Sequence, residues 1–182
     1  MANITAPTNR SGQSDVPQGA GRTYTLVVLF EDRPGSIDRV VGVLRRRRAN
    51  MQTLVLGRDE AANIVRATVA VNDSEVGVDH LVEQFRKVVD VRQVVHLTDE
   101  QAVVRELALI KVNSSVAAFN AIIELGHLYG AHAVDVTAET ATLEVVGSEE
   151  KINKLIGSLQ EYGIREIARS GRAALSRGIT NI

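Results

Sequence analysis

The chain has 182 residues, enough for one domain or two small ones, with 45% hydrophobic and 24% charged residues and a net charge of −1. It contains no Cys, which excludes disulfides, thiol nucleophiles and Cys-based metal sites. Aromatic residues make up only 3%, which leaves few stacking platforms for bases, and the balanced charge argues against a nucleic-acid surface.

Residues 1–22 are rich in Ala, Asn, Ser, Gln and Gly and lack the apolar stretch of a secretory signal, so they predict a disordered tail. Arg10 and Arg22, with Ser and little acid, leave an organelle transit peptide as the alternative. Tyr24–Phe30 predicts a strand, and Ser36–Arg48 a helix with Ile37, Val40, Val41 and Leu44 on one face. Met51–Gly57 and Ile64–Val71 predict a hairpin. Val76–Val89 predicts a helix and Val91–Leu97 a strand, completing a β-α-β-β-α-β order. Residues 99–103 read as a linker. The order then repeats: strand Arg105–Asn113, helix Ala117–Tyr129, hairpin Ala131–Val136 with Ala141–Val146, helix Lys151–Tyr162 with Ser148 as N-cap, and strand Ile164–Ala168. Ala173–Gly178 reads as a tail to this unit and 179–182 as the end of the chain.

The expected fold is therefore α+β: two ferredoxin-like βαββαβ domains in tandem, at 23–98 and 104–178, each an antiparallel sheet with helices on one face. In the first strand both alternating sets, Leu26/Val28/Phe30 and Thr25/Val27/Leu29, are nearly all apolar. An exposed apolar face is a liability unless paired, so a homodimer through the first domain is expected. No apolar run reaches the ~18 residues of a membrane span. A cytoplasmic location is compatible with that and with the absence of Cys.

The turn Phe30-Glu31-Asp32-Arg33-Pro34-Gly35-Ser36-Ile37 joins the first strand to the first helix. Gly at a helix start lets the backbone approach a ligand, and free N–H groups with the positive dipole end suit a small anion. The turn lacks the spacing of a phosphate loop, and a carboxylate fits it better. The alternative is a tight turn that merely starts a helix, with Pro34 near its first position. The second unit has Asn113-Ser114-Ser115-Val116 at the matching place, without Pro-Gly. Asn50 is either a helix-stop residue or a ligand contact across a dimer interface. Arg45–Arg48 is either a solvated helix end or a patch for an acidic partner or nucleic acid. The four histidines, His80, His96, His127 and His132, show no metal-ligand spacing. No catalytic constellation stands out.

The run Leu29–Val40 resembles the opening of an ACT domain. Its continuation, Arg47-Arg48-Ala49-Asn50-Met51-Gln52-Thr53-Leu54, resembles the helix-to-strand passage of the small regulatory subunits of acetolactate synthase (acetohydroxyacid synthase). Lys87–Val91, Arg105–Val112 and Gly163–Gly171 followed by Leu175–Gly178 are similar to later stretches of that family. The resemblance covers about Thr23 to Gly178. It implies a non-catalytic subunit that binds and activates a catalytic large subunit and confers feedback inhibition by valine or another branched-chain amino acid. Thiamine diphosphate, FAD and magnesium would belong to that partner, with no cofactor in this chain.

The resemblance places the effector between paired ACT domains, with contacts at Asp32, Gly35 and Asn50. Ser36, Ile37 and Met51 complete the expected effector-binding set. N–H groups near Gly35 would hold the effector's carboxylate, Asp32 or Asn50 its ammonium, and an apolar wall near Ile37 and Met51 its side chain. Asp32 stands where the family often carries Asn, and Ala49 where it often carries an aromatic. The competing expectation is a free-standing ACT-type module acting on another enzyme or on transcription. No helix-turn-helix or basic DNA-reading segment accompanies it.

Overall fold

The computed structural model describes residues 22–98 and 100–178. Residues 1–21 of the expected tail, residue 99 of the linker and residues 179–182 lie outside the described residues, while Arg22, expected as the last residue of the tail, opens the first strand. Strands β1 (Arg22–Glu31), β2 (Met51–Arg58), β3 (Ile64–Asp73) and β4 (Val91–Leu97) form an antiparallel sheet in the order β2-β3-β1-β4, with helices α1 (Ser36–Arg46) and α2 (Glu75–Arg86) between them. Strands β5 (Ala102–Asn113), β6 (His132–Val136), β7 (Thr140–Gly147) and β8 (Ile164–Arg169) repeat the arrangement as β6-β7-β5-β8, with α3 (Val116–Leu128) and α4 (Glu149–Leu159). Both units are ferredoxin-like, as the repeated element order predicts.

Each core forms where alternate strand residues meet the apolar stripe of two helices. In the first unit, Leu26, Val28 and Phe30 pack against Val40, Val43 and Leu44 of α1 and Val78, Leu81 and Phe85 of α2. In the second, Ala108, Ile110 and Val112 pack against Ile122 of α3 and Ile152, Leu155 and Leu159 of α4. β1 is central, and Thr25 through Phe30 are all buried, so both its faces are covered.

The cover on the second face of β1 corrects two expectations. β5 begins at Ala102, inside the segment expected as linker, and Ala173–Ser176, expected as tail, is a strand, β9. β9 pairs antiparallel with the start of β5, from Ala102↔Ser176 to Arg105↔Ala173. This ribbon lies on the first sheet. Ala102 and Ala174 pack with Val27, Leu29 and Leu97 in one buried cluster. Much of the apolar face that invites a second copy is thus buried by the chain's own C-terminal unit.

Polar contacts fix the ribbon in place. The Arg66 guanidinium of β3 donates to the Ala174 carbonyl at 2.8 Å. Gly171, at φ +79°, passes so close to β2 that a Cβ there would stand 2.9 Å from Val55 Cγ2. Glu106 is 4% exposed and accepts from Arg169 Nη2 at 2.5 Å, with Arg172 Nε 3.5 Å from its other oxygen. Arg172 also pairs with Glu149 at the start of α4 and donates to Thr25 Oγ1 of β1 at 3.4 Å. One arginine therefore ties the first sheet to the second unit's strand and helix.

Removing one partner of a buried charge cluster costs roughly 3–5 kcal/mol, because the remaining charges lose their compensation. Glu106→Ala is expected to lower unfolding free energy by about 3 kcal/mol or more in a denaturant titration. A loss under about 1 kcal/mol would show that solvent reaches Arg169 and Arg172 and that the cluster is no clamp.

Candidate functional site

Three helices start in the same way. Ser74, Ser115 and Ser148 accept a hydrogen bond from the backbone N–H three residues on, which caps α2, α3 and α4. α1 starts differently. Its N-cap is Gly35, at φ 80° and ψ 0°, with no side-chain cap. Ser36 N–H donates to the Arg33 carbonyl at 3.0 Å. The N–H groups of Ile37 and Asp38 have no partner among the described residues. Two bare donors and the positive end of the dipole thus face outward at this turn.

Ser36 does not share in that exposure. It is 1% exposed, and its hydroxyl donates to the Arg33 carbonyl at 2.8 Å. Its side chain closes the turn from inside. Arg39, one helical turn on, was not singled out by the sequence reading. Its Nε donates to Asp90 Oδ2 at 2.5 Å, and the Asp90 side chain is 4% exposed. Its Nη1 lies 3.3 Å from the place a Cβ on Gly35 would occupy. A buried carboxylate thus pins a guanidinium beside the uncapped helix start. The nearest sequence signal is the i, i+4 spacing of Gly35 and Arg39. Nothing local announces Asp90, fifty-one residues away in sequence.

Asp32 is exposed and its N–H donates to the Asn63 carbonyl at 2.7 Å. Its carboxylate lies 3.8 Å from Arg58 Nε. Beside it is a cavity of 480 Å³ lined by Glu31, Asp32, Arg33, Ala62, Asn63, Ile64 and Arg92. Gly35, Ile37, Asn50 and Met51 are not in its lining.

Asn50 and Met51 sit elsewhere. β1 and β2 both pair with β3, Glu31 opposite Ile64 and Met51 opposite Val71. The span from Ile64 to Val71, at about 3.3 Å per residue, separates the two levels by roughly 20 Å. Asp32, Gly35, Ser36 and Ile37 therefore gather at one end of the sheet, and Asn50 and Met51 at the other. Asn50 Oδ1 accepts from Gln52 Nε2 at 2.9 Å, and its carbonyl accepts from Asn72 N–H. Ile37 and Met51 are 42% and 41% exposed, and they form no common wall within one chain. Among the described residues no three His, Cys, Asp or Glu side chains cluster as a metal site.

A βαββαβ unit with a glycine turn opening its first helix, joined to a second unit of the same topology, is the architecture expected of an ACT-domain chain. Residues 26–93 match the family described as the AHAS small subunit-like ACT domain, and 105–178 match that described as the small subunit of acetolactate synthase. The chain is 38% identical over 157 residues to an acetolactate synthase small subunit of Mycobacterium bovis, covering 86% of this chain and 94% of that protein. It is 40% identical over 156 residues to that of Mycolicibacterium smegmatis, covering 86% and 92%. A crystal structure of the acetolactate synthase small subunit from Thermotoga maritima superposes with a TM-score of 0.80 at 27% identity, over 87% of this chain and 99% of that one. The chain belongs to the acetolactate synthase small subunits, the regulatory and not the catalytic component.

Ser36→Ala removes one hydrogen bond inside the turn and is expected to lower stability by about 1 kcal/mol. Amino-acid affinity measured by calorimetry should stay within about twofold, since the variant keeps every backbone N–H. A large loss of affinity at unchanged stability would return the Ser36 hydroxyl to the ligand.

Proposed function

We propose that this chain is the non-catalytic subunit of acetolactate synthase, binding and activating the catalytic large subunit in the cytoplasm and making it sensitive to valine or another branched-chain amino acid. Family membership supports the pairing with a catalytic subunit. The observation that carries the sensing role is the uncapped start of α1, with free N–H groups at Ile37 and Asp38 and the Arg39 guanidinium beside Gly35. That cluster suits the carboxylate of a free amino acid. Asp32, an acceptor when ionised, suits its ammonium. Ile37 and Met51 offer the exposed apolar surface for a branched side chain.

The two halves of this site lie at opposite ends of one sheet, so no single chain can close it on one small ligand. β2 is an edge strand, and α1 and β2 are consecutive in the chain. A two-fold pairing of ACT domains along that edge would set the Asp32–Ile37 turn of one copy against Asn50 and Met51 of the other. The effector then acts by favouring one arrangement of the pair over another. A differential affinity worth about 1–3 kcal/mol is enough to switch the partner usefully.

The direct test is reconstitution with the cognate catalytic subunit, with and without valine, leucine and isoleucine. Activation without any effector response would leave the first part of the reading standing and remove the second. Gly35→Asp places a side chain on a left-handed backbone and an anion where the carboxylate belongs. It should abolish feedback while activation survives. Asp32→Asn should weaken binding several-fold in calorimetry, because a neutral amide gives up the charge-assisted bond to the ammonium, and unchanged or tighter binding would contradict the assignment of Asp32 to the ammonium. Mixing Gly35→Asp chains with Asn50→Ala chains offers a sharper check. A heterodimer of the two holds one intact site, so partial feedback should return on mixing. No recovery in a mixture shown to exchange subunits would rule out a shared site.

A further inference from the structure

We infer that the apolar cleft at the domain junction is the surface on which the catalytic subunit docks, by inserting an aliphatic side chain carried on an acidic segment; this rests on the reading above that the chain works on such a subunit. The β5–β9 ribbon covers Val27, Leu29 and Leu97 of the first sheet. It leaves the outer part of β2 open. There Val55 and Gly57 of β2, with Thr68 of β3, face Val103, Ala173 and Leu175 across a cavity of 310 Å³.

The walls are apolar and in part exposed. Val103 and Leu175 are register partners in the ribbon, 37% and 63% exposed. A Leu on a four-residue strand that otherwise carries Ala and Ser has no core to fill from that side.

The rim is cationic. Arg58, Arg66 and Arg105 all line the cleft. Arg58 is 88% exposed and only 3.8 Å from its carboxylate partner Asp32. Arg66 is held by the Ala174 carbonyl and stands 4.0 Å from Asp59. Arg105 donates to the neighbouring Val104 carbonyl and makes no ion pair among the described residues.

An apolar floor under guanidinium groups selects its occupant. The floor has no aromatic residue on which a base could stack. A second copy of this chain placed cleft to cleft would bring two arginine rims together, a like-charge contact that is disfavoured. An aliphatic anchor flanked by Asp or Glu satisfies both the floor and the rim. Such an arrangement also separates roles: the α1 turn senses the amino acid, and the junction between the two units grips the enzyme.

The test titrates full-length variants into the cognate catalytic subunit and reads half-saturation of activation. Leu175→Asp, at an exposed position, should raise it at least about tenfold, the scale of losing a buried aliphatic anchor and placing an acid opposite acids. Arg105→Glu should raise it about threefold at low salt, and the difference should shrink as salt screens the rim. Both variants should melt like the parent and bind the amino-acid effector unchanged, which separates docking from folding and sensing. Parent-like activation by both variants would overturn the cleft while leaving the regulatory role intact. A Leu175→Asp chain that activates normally but changes its own oligomeric state would show that another copy covers the cleft. If the parent chain itself neither binds nor activates the catalytic subunit, the functional reading falls first and the docking surface with it.

Discussion

The fold turns on the docking of a short ribbon against the back of an otherwise half-covered sheet. A four-stranded antiparallel sheet with both helices on one side leaves the other side to be hidden by something. Here β1 is buried on both faces because Ala102 and Ala174 seal Val27 and Leu29. The polar part of that contact is a closed set of bonds around Glu106. Arg169 uses Nε and Nη2 on Glu106 and Nη1 on Asn153. Arg172 reaches Glu106, Glu149 and Thr25. A buried carboxylate answered this fully holds a defined geometry, whereas a half-answered one would loosen it. The two units therefore meet through matched shape and matched charge, not through a bare linker.

The same economy is visible in how the helices begin. Serine caps close three of them, and a left-handed glycine leaves the fourth open. With Gly at the N-cap in place of Ser, the stability deficit is only about a few tenths of a kcal/mol, so the opening costs the fold little. Arg39 adds a positive charge at that opening and is held there by Asp90. The open helix start, the added cation and the absence of a Cβ coincide at one turn, and the proposed binding of a small acid rests on that coincidence.

Most of the architecture was legible in the residues because the periodicities are strong. Leu26, Val28 and Phe30 alternate with Val27 and Leu29, and Ile152, Leu155, Ile156 and Leu159 recur at helical spacing. β4 coincides with its expected span, and Ser148 caps α4 as its position suggested. The ribbon was not legible. Ala173-Ala174-Leu175-Ser176 has little strand propensity and is too short to show alternation. Its strand state is set by its partner, β5, which lies some seventy residues upstream. The turn at Gly35 was legible as geometry, since glycine at a helix start is a local signal. The location of Asn50 relative to Asp32 was not, because it depends on strand register across β3. Nor was the commitment of the Ser36 hydroxyl to the Arg33 carbonyl, which only the folded turn decides.

The roughly 20 Å between the two halves of the proposed site has a further meaning for how such a sensor behaves on dilution. On the proposed pairing, a solitary chain would carry only half a receptor at each end of its sheet and would be blind to the effector. Amino-acid capture and self-association must then be linked, so that each promotes the other by the same factor. The scarcer the protein, the more effector it would take to register the same signal, and abundance of the subunit becomes a setting of the feedback threshold.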